Sequence, residues 1–248
     1  MSGDMEVPDQ PEVTEDGILG GRIKVFQEKR GYRFSIDAVL LAFFVSARQN
    51  DRVLDLGAGC GIVPLLLAHR YPEVRVTGVE VQPRLAALAE KNAAVNRYTD
   101  RIRIVTGDLK DLPLNGVSSG YDMVVSNPPY RRVGAGRVNP DGQRAMARHE
   151  IGADLAAVLS CGRRMLRSMG KMALVYPAER LAELLHAMRE SGIEPKRLRC
   201  VHSIATGPAT LVLCEGVRDA STDLKVENPL VLYQNHGRYT REAAGMLY

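Results

Sequence analysis

The residues with the clearest claim to chemistry are Asn127-Pro128-Pro129-Tyr130. They follow the apolar run Tyr121–Ser126, which reads as a buried strand. Two consecutive prolines cannot donate to a sheet ladder, so the strand must stop there, and Asn127, preceding a proline, is held extended. The result is a rigid strand exit presenting one amide side chain, carbonyls with no helix to consume them, and one aromatic ring. The Asn127 carbonyl can accept a hydrogen bond from an amine, and the Tyr130 face can stack on a flat ring. Such a grip suits a planar molecule bearing an exocyclic NH2. The alternative is a loop that merely turns, and these four residues alone do not separate the two.

A second group of residues lies upstream. Val53-Leu54-Asp55-Leu56-Gly57-Ala58-Gly59-Cys60-Gly61 reads as a strand running into a glycine turn and then a helix. Glycines there allow left-handed angles and close approach of backbone to a ligand. The dinucleotide fingerprint is G-x-G-x-x-G, whereas Gly57, Gly59 and Gly61 run G-x-G-x-G. Asp55 would repel a pyrophosphate but attract an ammonium. The preferred ligand is therefore a nucleoside carrying an amino acid, and S-adenosylmethionine fits. Glu80 lies roughly 20 residues further on, at the end of the next strand, where a carboxylate can accept both ribose hydroxyls. Asp108, after the third strand, could accept from the adenine amine of the same molecule. The plainer readings are a surface acid for Glu80 and a turn-capping acid for Asp108.

The elements that must hold these residues alternate. Strands are expected at Arg52–Leu56, Val74–Val79, Ile102–Thr106, Tyr121–Ser126 and Lys171–Tyr176. Helices are expected at Ile62–Arg70, Pro83–Asn96, Leu155–Met169 and Ala178–Ser191. Two further strands, about Lys196–His202 and Thr210–Glu215, have no helix between them and should pair antiparallel at the sheet edge. The fold class is α/β: a doubly wound, mostly parallel seven-stranded sheet with one antiparallel edge strand. Before it stands a small strand and helix extension, with Ser35 placed to cap a helix from Ile36 to about Ala47. Residues 1–16 read as a mobile acidic tail and 17–248 as one domain, with 17–50 as the extension.

Composition bounds the rest. The 248 residues carry a formal charge of +4, which permits nucleic-acid binding without demanding it. The acidic N-terminus lacks a signal-peptide pattern, and no apolar run is long enough to span a membrane. Four scattered cysteines without a C-x-x-C pair argue against structural zinc and a disulfide framework and fit a reducing, cytoplasmic setting.

With D-L-G-A-G-C-G, Glu80, Gly107-Asp108 and N-P-P-Y in this order, the chain resembles class I S-adenosylmethionine-dependent methyltransferases. N-P-P-Y narrows the resemblance to enzymes acting on planar nitrogens: adenine N6, guanine N2 or the side-chain amide of glutamine. The opening Ile23–Gln27 and Gly31–Ala42 are similar to the bacterial tRNA-Val adenine-N6 methyltransferase family. So are Ala147–Glu150, Val175–Leu181 and the closing Pro229–Tyr233 with Gly237–Thr240. The resemblance implies an acceptor amine held by Asn127 and the Pro128 carbonyl, a base stacked on Tyr130, and no catalytic metal. It implies that Phe34 packs on the cofactor, that Asp37 meets its ammonium, and that residues 17–50 close over its site. The arginines after N-P-P-Y, among them Arg131, Arg132 and Arg148, would contact RNA phosphates. The implied partner is tRNA or another structured RNA with a single-stranded loop, because a base must leave its stack to react. The alternatives are a protein glutamine-N5 methyltransferase, a guanine-N2 RNA methyltransferase, and a cofactor-binding module without activity.

Overall fold

The computed structural model describes residues 12–30, 33–113, 117–128, 155–234 and 237–248. The chain opens with a hairpin of β1 (Val13–Ile18) and β2 (Ile23–Glu28), paired antiparallel. Val13–Asp16, expected in the acidic tail, therefore belong to a strand. Their alternation of half-buried and exposed residues suits a strand with one wet face. Helix α1 (Ile36–Phe44) follows and is buried from Ala38 to Leu41. Ser35 occupies its N-cap position, but the Ser35 side chain makes no capping hydrogen bond.

The main sheet is built by β3 (Arg52–Leu56), β4 (Arg75–Glu80), β5 (Ile102–Thr106), β6 (Tyr121–Ser126), β7 (Leu166–Pro177), β8 (Ile193–His202) and β9 (Ala209–Arg218). Two short strands, β10 (Lys225–Val226) and β11 (Leu230–Val231), extend it along β8. The order is β10-β8-β9-β7-β6-β3-β4-β5. All pairings are parallel except those of β9 with β7 and β8. The expected doubly wound sheet is thus present, but its antiparallel strand β9 is interior, between β7 and β8, and not at the edge. The reason is in the side chains. Val212, Leu213 and Cys214 of β9 are all buried, whereas β8, bordered on its far side by the two-residue strands β10 and β11, carries Lys196, Arg197 and Arg199, charges that a strand near the edge tolerates.

Helices cover both faces. One apolar layer joins the hairpin, α1, α2 (Ile62–Arg70) and α3 (Pro83–Val95) to the sheet through Val53, Val76, Met123 and Val125. The other joins α4 (Leu155–Met165) and α5 (Leu181–Glu190) to it through Leu54, Leu56, Val124, Met172 and Leu174. The expected helix at 155–169 ends four residues early. Met169 has φ +59 and a Cβ at Gly170 would stand 3.1 Å from the Tyr121 carbonyl, so the chain turns tightly against β6, with which it pairs from Leu166. A closing helix, α6 (Arg241–Leu247), was not foreseen. Thr240 caps it by accepting from Ala243 N, and it returns to the hairpin where Leu19 N donates to Leu247 O at 3.0 Å.

Candidate functional site at the carboxyl edge of the sheet

Parallel strands deliver their ends to one edge. Leu56 is registered with Val79, Asp55 with Val125, and Glu80 with Thr106. One step further along these ladders sets Gly57 between Glu80 and Asn127. At about 4.8 Å per strand, Glu80 and Asn127 flank the glycine turn some 10 Å apart. Strand alternation also gives Asp55, Glu80 and Asn127 the parity of Val53, Val76 and Val125, so all three project toward the layer of α1, α2 and α3. A hydrogen bond from Ser126 Oγ to the Leu56 carbonyl, 2.7 Å and fully buried, fastens the exit of β6 to the start of the turn.

The turn departs from ordinary backbone at each glycine, with φ +82 at Gly57, +56 at Gly59 and +84 at Gly61. A Cβ at Gly61 would stand 2.9 Å from Ala89 Cβ, which makes that position glycine's on two counts. A Cβ at Gly57 would meet nothing within 4 Å, so open space lies above the first glycine. Below it, Gly57 N and Ala58 N both donate to the Val79 carbonyl, at 2.9 and 3.0 Å.

Two acids line this turn. The Glu80 carboxylate is buried, yet Oε2 accepts from Gly59 N at 2.8 Å and Oε1 from Gln82 N at 2.9 Å. Burial raises its pKa, and the donors Gln82, Gly59 and Val81 oppose that rise. Each oxygen keeps a further lone pair. Asp55 is 1% exposed and Oδ2 has no hydrogen-bond partner. Burial, and then the charge of Glu80, push its carboxyl up to about 8. Next along the edge, Gly107 N donates to the Glu80 carbonyl at 3.0 Å, and Asp108 caps a short 3-10 turn through Lys110 N at 2.9 Å. The turn-capping reading of Asp108 is therefore correct as far as it goes, and the residue is half-buried.

Phe34 and Asp37 lie at the start of α1, both half-buried, and α1 packs on the helix that the glycine turn begins. Phe34 N donates to Gln27 Oε1 at 3.2 Å. Asn127 and Pro128 are the last residues described at the exit of β6. Tyr130, Arg131, Arg132 and Arg148 lie outside the described residues.

Three supporting residues escaped the reading of the sequence: Ser126, Gln27 and Asn92. The signal for the last was an asparagine pair at i and i+4, Asn92 and Asn96, near the end of an otherwise Ala-rich helix.

The chain matches the model of the methyltransferase small domain over residues 33–190. A protein of Tolumonas auensis, named tRNA1(Val) (adenine(37)-N6)-methyltransferase, is 31% identical over 219 residues, covering 87% of this chain and 88% of its own length. Two proteins of Porphyromonas gingivalis with the same name are 35% and 39% identical, and the matched stretch spans 66% and 61% of their length. Among solved structures, a predicted O-methyltransferase of Agrobacterium tumefaciens superposes with a TM-score of 0.67 at 19% identity, covering 85% of this chain and 94% of that one. Geranyl diphosphate methyltransferase, solved with sinefungin, gives a TM-score of 0.53 at 16% identity over 74% of this chain and 78% of that one. These two likenesses are of fold. With the family match over residues 33–190, the glycine turn and the paired acids have a common explanation: the chain belongs to the methyltransferase small domain family of S-adenosylmethionine-dependent enzymes.

Proposed function

We propose that this methyltransferase transfers the methyl group of S-adenosylmethionine to N6 of an adenine in a tRNA anticodon loop. The observation that carries the reading is the shared level and face of Glu80, Gly57 and Asn127, with the orphaned Asp55 Oδ2 beneath them. The residues fit the cofactor. An ammonium would give Asp55 the partner it lacks, and ribose hydroxyls would take the lone pairs of Glu80 left after Gly59 and Gln82. Gly57, Gly59 and Gly61 let the backbone come close, Asp108 accepts from the adenine amine, and Phe34 with Asp37 closes the methionine end. In this reading the chain acts as one domain, with the hairpin that begins at Val13 and α1 as its closing extension.

The bound cofactor supplies a methyl group activated on a sulfonium. Transfer is an in-line displacement: the nitrogen–carbon bond forms as the carbon–sulfur bond breaks, its electron pair returns to sulfur, and the nitrogen then releases a proton to water. Asn127 and the Pro128 carbonyl accept hydrogen bonds from the N6 protons, which draws the nitrogen lone pair out of conjugation and aligns it. Positioning of this kind supplies much of the rate. Tyr130 stacks on the base, a contact worth roughly 1–3 kcal/mol, and Arg131, Arg132 and Arg148 meet phosphates.

The names of the relatives make adenine 37 of tRNA1(Val) the first target to try, and a tRNA substrate implies a cytoplasmic site of action. The test incubates the protein with methyl-labelled cofactor and either unmodified total tRNA or peptide release factors. Label is expected in tRNA; label in release factor alone overturns the RNA reading in favour of glutamine methylation.

A further inference from the structure

The Asn92 side chain is completely buried and makes three hydrogen bonds. Its Oδ1 accepts from Phe26 N at 2.7 Å, and its Nδ2 donates to the Phe26 carbonyl at 2.9 Å and to the Cys60 carbonyl at 2.8 Å. The first two bonds stand in for a strand along the edge of β2 that β1 leaves open. The third reaches the glycine turn. One helical turn later Asn96 repeats the first pattern, accepting from Lys24 N at 3.0 Å and donating to the Lys24 carbonyl at 2.7 Å, and its third bond goes back to the Asn92 carbonyl at 2.8 Å rather than to the turn. Arg84 continues the row with an ion pair to the buried Glu28 at 2.7 Å. Alternate residues of β2, at 24, 26 and 28, are thus tied to α3, and the middle tie alone continues into the turn.

Beyond Phe26 the connection goes on. Neighbouring Gln27, also buried, accepts from Phe34 N at 3.2 Å and donates to Asp16 Oδ2 at 2.7 Å. A continuous path of covalent and hydrogen bonds therefore runs from Cys60 through Asn92, Phe26 and Gln27 to Phe34. Cys60 and Phe34 belong to the two walls that the proposed function assigns to the cofactor.

We propose that Asn92 is a positioning residue for the methyl donor: one amide sets the spacing between the glycine turn and the N-terminal segment that closes over it. The inference rests on the cofactor reading above and adds which buried group holds the two walls in register. Asn92 does not touch the cofactor. Its side chain holds the Cys60–Gly61 peptide, where the chain takes φ +84 before entering α2, against a strand that carries the opposite wall.

The pair of asparagines supplies an internal control. Asn92→Ala removes the hairpin tie and the link to the turn; Asn96→Ala removes a hairpin tie and a bond to the Asn92 carbonyl, and leaves the link to the turn in place. Titration calorimetry with S-adenosylhomocysteine, run well below both melting transitions, reads binding without any acceptor. Asn92→Ala is expected to raise Kd about tenfold or more, while Asn96→Ala stays within about twofold of the parent despite a lowered melting temperature. The KM for the methyl donor should rise in Asn92→Ala while kcat at saturating donor is retained. Equal Kd values for the two variants would overturn the proposal and leave Asn92 as a hairpin anchor. Should Asn92→Ala fail to fold, Gln27→Ala cuts the same path nearer Phe34. It is expected to raise Kd several-fold, and an unchanged Kd would overturn the proposal just as firmly. If the parent protein itself bound no S-adenosylhomocysteine, the cofactor reading would fall, which is a different result from equal binding by parent and Asn92→Ala.

Discussion

Asp55 is an acid placed where an acid is costly. It sits inside β3 with an unpartnered oxygen, and its carboxyl titrates near 8 rather than near its ordinary 3.8. A carboxyl raised in this way binds its proton more tightly folded than unfolded. Its contribution to stability is whole below about pH 4 and is lost as pH rises toward 8. The cofactor-free protein should therefore show a melting temperature that falls from pH 5 to pH 8. Asp55→Asn, which cannot ionise, should flatten that fall, as differential scanning calorimetry across the range will read. An unchanged slope would place the pH dependence elsewhere. An ammonium beside Oδ2 would favour the ionisation that burial and Glu80 oppose. Asn127 answers a different question. Its amide is assigned to the acceptor, so Asn127→Ala should abolish methyl transfer while leaving S-adenosylhomocysteine affinity within about twofold, a difference below 0.5 kcal/mol. Loss of both would mean that Asn127 supports the pocket rather than the reaction.

At the scale of elements, the glycine turn is the most constrained piece. Gly61→Ala would force an alanine to φ +84 and press its Cβ within 2.9 Å of Ala89. The expected cost is about 1–3 kcal/mol, seen as a lower denaturant midpoint at constant slope. The segment after Pro128 is tested through binding. Charge reversal at Arg131 and Arg132 should weaken tRNA association and shallow its dependence on salt, because fewer counterions are released.

The elements also show what could be read beforehand. The strand at Tyr121–Ser126 and the helix at Ile62–Arg70 stand at their expected bounds, since a continuous apolar run ended by proline or glycine leaves little choice. The end of α4 could not be read. Arg167-Ser168-Met169 continues a helical pattern, and only contact with Tyr121 of the neighbouring strand turns it into sheet. The inner place of β9 is likewise a long-range matter, legible only in retrospect from its buried Val212–Cys214 run.

For the molecule as a whole, the sheet is the instrument that makes scattered residues a site. Asp55, Glu80 and Asn127 span more than seventy positions of sequence, yet parallel registration brings them to one edge and one face. Their order and types were visible in the sequence because each lies within one residue of a strand's end. The struts between them, Ser126 to Leu56 and Asn92 to Cys60, were not, because a buried polar side chain gains meaning only from the group that it meets. On that face the hairpin and α1 pack with α2 and α3 in one apolar layer.

The central claim is that the amine presented to Asn127 is N6 of an adenine in tRNA. Its most direct measurement is nucleoside analysis of unmodified tRNA treated with the protein and S-adenosylmethionine, digested to nucleosides and separated by mass-resolved chromatography, with Asn127→Ala run in parallel. New N6-methyladenosine is expected with the parent protein and none with the variant. New N2-methylguanosine, or tRNA left unmethylated while protein glutamine is modified, would contradict it.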